Sequence, residues 1–326
     1  MSAQTANPEQ GGKRGEKHGG KHSGENRFYG LDASIYIFRA YFARPVTALS
    51  PQGYPLNAVE GFAQTLLSLI DRVQPRYLVA AFDESLGQGF REQLYPLYKS
   101  RRALPDEALA FQLAACRSMA EVLGICCLSD SHYEADDLLA SAARIAREAQ
   151  RSVTVITRDK DLAQILTSDS DQLWDSAARG QTPLSRRQWE AHYGVSCDRL
   201  ADYLAVCGDS VDDIPGLPGV GEKSAKNIFS NYSNLEEIYD NLDDLCLLPI
   251  RGAAKLAAKF TAHRDDVFLY RQLTRLQDTL ALPAVSASGA YQGSDAGAFS
   301  ELAQSLGFSP QWAAGLVKRY SGVFGQ

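Results

Sequence analysis

Carboxylates recur in this chain at places where oxygen ligands can gather. The runs "RFYGLD", "RYLVAAFD" and "RSVTVITRD" end on Asp32, Asp83 and Asp159. "HYEADDLLA" supplies Glu134, Asp136 and Asp137, "TRDKDLAQIL" adds Asp161, and "GDSVDD" adds Asp209 and Asp212, three apart. A single acid at a helix start often does no more than complement the helix dipole, and a lone aspartate after a strand is commonly a cap. A convergent set is different. Two like charges about 5 Å apart at an effective dielectric of about 20 repel by about 3 kcal/mol, so a cluster needs cations. Oxygen donors without His or Cys suit hard ions, with Mg²⁺ or Mn²⁺ the natural occupants. Two such ions about 4 Å apart form an apparatus for hydrolysing a phosphodiester in line.

A handle for phosphate follows directly. "IPGLPGVGEKSAKNI" has the form of a helix-hairpin-helix: Gly216, Gly219 and Gly221 permit a tight turn whose N–H groups, with the next helix N-terminus, can meet a phosphate. Lys223 and Lys226 add positive charge.

The elements that must position these groups are legible as pattern. From about residue 27 to 184, short apolar runs alternate with helical periodicity, which predicts a mostly parallel α/β sheet. Strand ends of such a sheet share one edge, where α/β folds place ligands. Ala135, Leu138, Leu139, Ala142 and Ile145 keep a helical period behind Glu134, so that acidic group should sit at a helix start.

Composition bounds the rest. With 326 residues, 45% hydrophobic, the chain can bury a large core plus a smaller lobe. No apolar run approaches the roughly 20 residues of a membrane span, and the first 26 residues lack the apolar stretch of a signal peptide, so a cytoplasmic, membrane-free protein is expected. The six cysteines form no CxxC pair and read as reduced thiols. A net charge of −6 excludes a uniformly basic coat, although acids concentrated at one site make the sum a poor guide to local surface. Residues 1–26 carry six glycines and almost nothing apolar, and read as a disordered tail whose Lys13, Arg14, Lys17 and Lys21 are solvated.

The segments "LDASIYIFRAYFA", "AAFDESLGQGFREQLYPLYKSRRALPDE", "YEADDLLA", "TRDKDLAQIL", "GDSVDDIPGLPGVGEKSAKNIF" and "LPIRGAAKLAAKF", in this order between about Phe28 and Leu282, resemble the 5′ nuclease family. That family includes flap endonucleases and, most similar, the amino-terminal 5′-to-3′ exonuclease domain of bacterial DNA polymerase I. The resemblance implies a PIN-like α/β core over 27–184, a helical lobe with the hairpin over 185–285, and a C-terminal extension over 286–326 that packs on the core. It implies cleavage of DNA near 5′ flaps, nicks or free 5′ ends, with RNA primers in hybrids as further substrates. It places a first metal group on Asp32, Asp83, Glu134, Asp136 and Asp137, and a second on Asp159, Asp161, Asp209 and Asp212. Lys99 and Arg102 take the place of cationic residues acting on the scissile phosphate. Arg91 and Tyr98 fall in the same segment, where an arginine contacts phosphate and a tyrosine stacks on an unpaired base. A K⁺ ion on the hairpin carbonyls is implied as well.

Two departures stand out. The family's Asp-Asn before Ile-Pro is Asp212-Asp213 here, and the added acid either faces the second group and tightens a metal or faces solvent. After about residue 285 only a short helical tail remains, which leads to the expectation of a stand-alone, monomeric nuclease. A PIN-type ribonuclease would be shorter and lack the hairpin motif. A non-catalytic DNA-binding module would gain nothing from nine repelling carboxylates.

Overall fold

The apolar runs that end on aspartate become the central strands of a six-stranded sheet in the computed structural model of the chain. It describes residues 26–85, 87–177, 180, 182–287 and 289–325. The leader read as a disordered tail lies outside these, Asn26 excepted. The strands are β1 (Arg27–Asp32), β2 (Tyr77–Ala81), β3 (Cys126–Leu128), β4 (Ser152–Ile156), β5 (Gln172–Trp174) and β6 (Leu184–Ser185), in the order β3-β2-β1-β4-β5-β6. Every pairing is parallel except β5 with β6. Asp32 lies opposite Ala81 and Leu31 opposite Ile156, so the chains leave β1, β2 and β4 at one edge.

Helices α1 (Ala33–Ala43) and α2 (Asn57–Val73) connect β1 to β2, α3 (Phe90–Leu94) and α4 (Glu107–Val122) connect β2 to β3, and α5 (Ala135–Glu148) connects β3 to β4. After β6 come α6 (Arg186–Tyr193), α7 (Leu200–Cys207), α8 (Glu222–Asn231), α9 (Leu235–Asp240), α10 (Leu256–Ala262) and α11 (Arg264–Thr274). The chain ends with α12 (Pro283–Ala287), α13 (Ala296–Leu306), α14 (Pro310–Arg319) and α15 (Ser321–Phe324).

Side chains of a strand alternate between faces, and the core divides accordingly. Leu31, Leu78, Ala80 and Ile156 pack with Phe62, Leu66 and Met119 of α2 and α4. Phe28, Val79, Val153 and Val155 pack with Leu138 and Leu139 of α5, and that cluster continues through Leu204, Ile228 and Phe260 into the helical lobe. The last helices close the first cluster, with Phe299, Phe308 and Leu316 buried in it. Ser309 caps α14, its hydroxyl accepting from Trp312 N–H, with Pro310 following where a missing N–H costs nothing.

Candidate active site

Each acid takes its position from a local device at the sheet edge. Asp32 ends β1 and caps α1: Oδ1 accepts from Ile35 N–H at 3.5 Å and Oδ2 from the Thr157 hydroxyl at 2.8 Å. It is 5% exposed, and burial, with Asp159 and Asp83 nearby, pushes its carboxyl up to about 6. Asp83 lies two residues past β2 and accepts from Ser85 N–H and Oγ. Asp159 Oδ1 accepts from Asp161 N–H at 2.8 Å at the start of a 3-10 turn. Burial and the charges of Asp159, Asp209 and Asp212 raise Asp161 to about 8, and its buried Oδ1 has no hydrogen-bond partner. Asp136 is half-buried in the first turn of α5 and pushed well up by burial, Asp159 and Asp32. Asp209 and Ile214 exchange backbone hydrogen bonds that fold the 209–214 loop, and Asp209 Oδ1 accepts from Val211 N–H.

Two cations stand among these acids. Lys99 Nζ donates to Glu134 Oε1 at 2.6 Å and lies 3.7 Å from Asp212 Oδ2, while Arg102 lies 3.8 Å from Asp212 Oδ1 and is half exposed. Lys99 adopts a left-handed backbone (φ 48°), and its N–H bonds Asp212 O, which docks the 95–102 turn on the 209–214 loop. Burial would raise Glu134, but Lys99 and Arg91 more than offset it and hold the carboxyl below its ordinary range. Burial raises Asp212, against Lys99.

Three expectations from the sequence are corrected here. Arg91, expected on phosphate, is 2% exposed and forms a bidentate ion pair with Asp137. Asp137, expected among the metal ligands, is 0% exposed, and both its oxygens are taken by Arg91 and by the N–H groups of Glu134 and Gln277. Tyr98, expected to stack on a base, is 3% exposed, with its hydroxyl on Glu134 and Asp212. Asp213 does not turn toward the second group: it pairs with Arg101, whose Nε lies 2.5 Å from Oδ1, and that hydrogen-bonded pairing pulls its carboxyl down.

The hairpin forms as its glycines require. Gly216 (φ 69°) and Gly219 (φ 71°) are left-handed, Leu217 N–H bonds Val206 O, and Gly221 caps α8. A Cβ on Gly216 would stand 2.4 Å from Gly208 N, so this turn is pressed against the end of α7. Lys223 is exposed, whereas Lys226 is paired with Glu222 at 2.7 Å, which halves the charge expected from the two lysines. Pattern reading missed Lys259, whose Nζ donates to Pro218 O at 2.7 Å across 41 residues; a lysine on a helix carries no sequence signal of that reach.

Among the described residues no three acids are arranged to hold an ion as they stand. The donor chemistry nonetheless fits one. Asp32, Asp136 and Asp161 are all raised, chiefly by burial and each in part by the charge of Asp159, and the unpartnered Oδ1 of Asp161 is the sort of orphan a cation satisfies.

A mostly parallel sheet with acids along one edge, joined to a lobe that carries a glycine hairpin, defines a PIN-like nuclease architecture. Residues 27–194 match the family described as 5′-3′ exonuclease, N-terminal resolvase-like domain, and residues 195–296 match 5′-3′ exonuclease, C-terminal SAM fold; the chain belongs to the 5′-3′ exonuclease family. It is 35% identical over 254 residues to DNA polymerase I of Pseudomonas aeruginosa, spanning 77% of this chain but 27% of the polymerase. It is 34% identical over 213 residues to the 5′-3′ exonuclease of Aquifex aeolicus, 65% of this chain and 72% of that one. The zinc-bound T5 5′-exonuclease shares the fold with a TM-score of 0.61 at 18% identity, over 91% of this chain and 99% of that one. The catalytic core of Rad2 in complex with a DNA substrate shares it at 0.59 and 14%, over 91% and 93%.

Proposed function

We propose that this chain is a divalent-metal-dependent nuclease that hydrolyses DNA phosphodiesters near 5′ ends, at flaps, nicks and free termini, leaving 5′-phosphates. The observation that carries this reading is the acid cluster itself: Asp32, buried, and Asp136 and Asp161, half-buried, are held near Asp159 against the repulsion of its charge, with two cations at the border. Asp32, Asp83, Glu134 and Asp136 would hold one ion, and Asp159, Asp161, Asp209 and Asp212 a second. Bound Mg²⁺ or Mn²⁺ supplies Lewis-acid stabilisation of the phosphate and a more acidic water.

The chain's own residues do the rest. Lys99 and Arg102 offer positive charge at the cluster's border, where charge develops on the phosphate during attack. To reach a phosphate, Lys99 Nζ leaves Glu134 Oε1, freeing that oxygen for an ion. The hairpin at 216–221 and Lys223 hold duplex backbone beyond the site. Pro218 O accepts from Lys259 Nζ and Leu217 O from Val220 N–H, so an ion such as K⁺ on the hairpin would share these carbonyls' second lone pairs and would displace or repel the Lys259 ammonium. The protein acts as a cytoplasmic monomer on this reading, and RNA–DNA hybrids belong in the substrate panel. Labelled flap, nicked and single-stranded DNA, incubated in Mg²⁺ or EDTA, test the reading: no Mg²⁺-dependent cleavage of any of them sinks it.

Gly219→Val is expected to weaken duplex binding. A left-handed non-glycine residue costs about 1–2 kcal/mol, a β-branched one fits worse, and the new Cβ would meet Lys259 Nζ at 2.9 Å. Fluorescence anisotropy across a salt titration checks this; an unchanged affinity reduces the hairpin to a structural turn.

Asp213→Asn is expected to leave the Mg²⁺ concentration for half-maximal cleavage unchanged. The side chain faces Arg101, and Asn tolerates the left-handed backbone (φ 58°) as well as Asp does. A shift to higher Mg²⁺ at fixed ionic strength would return Asp213 to the metal chemistry.

A further inference from the structure

The Arg91 guanidinium is used to its last donor. Nε donates to Leu273 O at 2.7 Å, Nη1 to Glu134 Oε2 at 3.1 Å and Asp137 Oδ2 at 2.6 Å, and Nη2 to Asp137 Oδ1 at 2.8 Å and Arg275 O at 3.2 Å. Five N–H groups meet five acceptors from three parts of the chain: the start of α5, the end of α11, and the strand of chain that leaves it. Asp137 completes the joint by accepting from Gln277 N–H at 2.8 Å and Glu134 N–H at 3.2 Å. The same returning segment is strapped to α5 by Ser141, whose hydroxyl donates to Gln277 O and accepts from Leu280 N–H.

The consequence falls on Glu134. Its Oε2 is fixed by Arg91 and by the Tyr98 hydroxyl at 3.0 Å, which leaves Oε1 turned to Lys99. We propose that Arg91 and Asp137 are positioning residues: their buried pair sets the orientation of the Glu134 carboxylate and ties it to the end of α11, in the lobe that carries the hairpin. A displacement of residues 273–277 relative to α5 must then either move the guanidinium or break its bonds to Leu273 O and Arg275 O, so the lobe and the carboxylate move together. Only arginine spans this joint, because a lysine ammonium has three donors and no planar fork to match a carboxylate and two carbonyls at once.

The proposal rests on the reading of Glu134 as an ion-binding group, and its test reads metal binding apart from cleavage. Mn²⁺ binding to the DNA-free full chain is measured by electron paramagnetic resonance for the wild type, Asp137→Asn and Arg91→Lys, with folding checked by circular dichroism. Groups that orient metal ligands from behind typically change affinity or activity about 10- to 100-fold when altered. We therefore expect Mn²⁺ affinity to fall by about that factor in both variants, with an unchanged number of ions, an unchanged KM for duplex and a kcat restored by excess Mn²⁺. If Arg91→Lys does not fold, Asp137→Asn decides, since Asn keeps the shape and an acceptor for Gln277 N–H. A folded Asp137→Asn with wild-type Mn²⁺ affinity makes the pair merely structural and overturns the proposal. Loss of one bound ion in that variant overturns it in the other direction, by making Asp137 a direct ligand. A wild-type chain that binds no Mn²⁺ brings down the reading of Glu134 and this proposal with it, whereas intact wild-type binding with unaltered variants brings down the proposal alone.

Discussion

Replacing Asp136 with Ala should lower cleavage about a thousandfold or more, while leaving duplex binding near wild type. Lewis-acid catalysis contributes several kcal/mol, and each 1.4 kcal/mol is a decade in rate. The hairpin and Lys223 are untouched by the change, so affinity for duplex survives it. The same substitution should make the metal-free protein more stable, which is the sharper part of the expectation. Burial and the charges of Asp159 and Asp32 push the Asp136 carboxyl well up, so its ionised form is the one the fold disfavours. A group raised in this way contributes stability below its unfolded value of about 3.9 and loses that contribution as pH rises through the folded value. With Asp32 near 6 and Asp161 near 8, metal-free stability should decline between about pH 4 and pH 8. Thermal unfolding in EDTA at pH 8 should then show a higher midpoint for Asp136→Ala than for wild type, and Mg²⁺ should raise the wild-type midpoint more than the variant's. A variant that cuts at the wild-type rate, or one destabilised in EDTA, would remove Asp136 from the ion-binding cluster.

That opposition between stability and activity explains what could be read from the sequence. Strand ends were visible because an apolar run followed by an acid is a local pattern, and parallel pairing brings such ends to one edge without further information. Asp32, Asp83 and Asp159 were placed this way, and so were the glycines of the hairpin, whose left-handed turns Gly216 and Gly219 supply. The roles of Arg91 and Asp137 were not visible. The two lie 46 residues apart, and the other acceptors of Arg91, Leu273 O and Arg275 O, lie 182 and 184 residues from it, distances that no period or motif encodes. From the sequence, an acid at the start of α5 looks the same whether it faces an ion or a buried guanidinium. The orientation of Asp213 is open in the sequence for a related reason: adjacency to Asp212 in the chain does not fix adjacency in space, and in the fold its side chain, on a left-handed backbone, meets Arg101.

Arg91→Ala is expected to cost about 3–5 kcal/mol of folding stability, the usual result of removing one partner from a buried pair. Asp137 would be left with a charge at 0% exposure and only two backbone N–H donors, while Leu273 O and Arg275 O would each lose a donor. For a fold stable by about 5–15 kcal/mol this is a large fraction. Urea unfolding at pH 7 measures it as a fall in the midpoint without a change in slope. The pairing itself is isolated by a second variant. Arg91→Met with Asp137→Leu removes both charges together, and replacing a buried pair by apolar groups of similar volume is commonly near neutral. The double variant should therefore be markedly more stable than Arg91→Met alone, although the Gln277 and Glu134 N–H groups lose their acceptor and recovery stays incomplete. A double variant no more stable than the single one would show that the guanidinium's bonds to Leu273 O and Arg275 O, and not its charge pairing with Asp137, hold the lobe to the core.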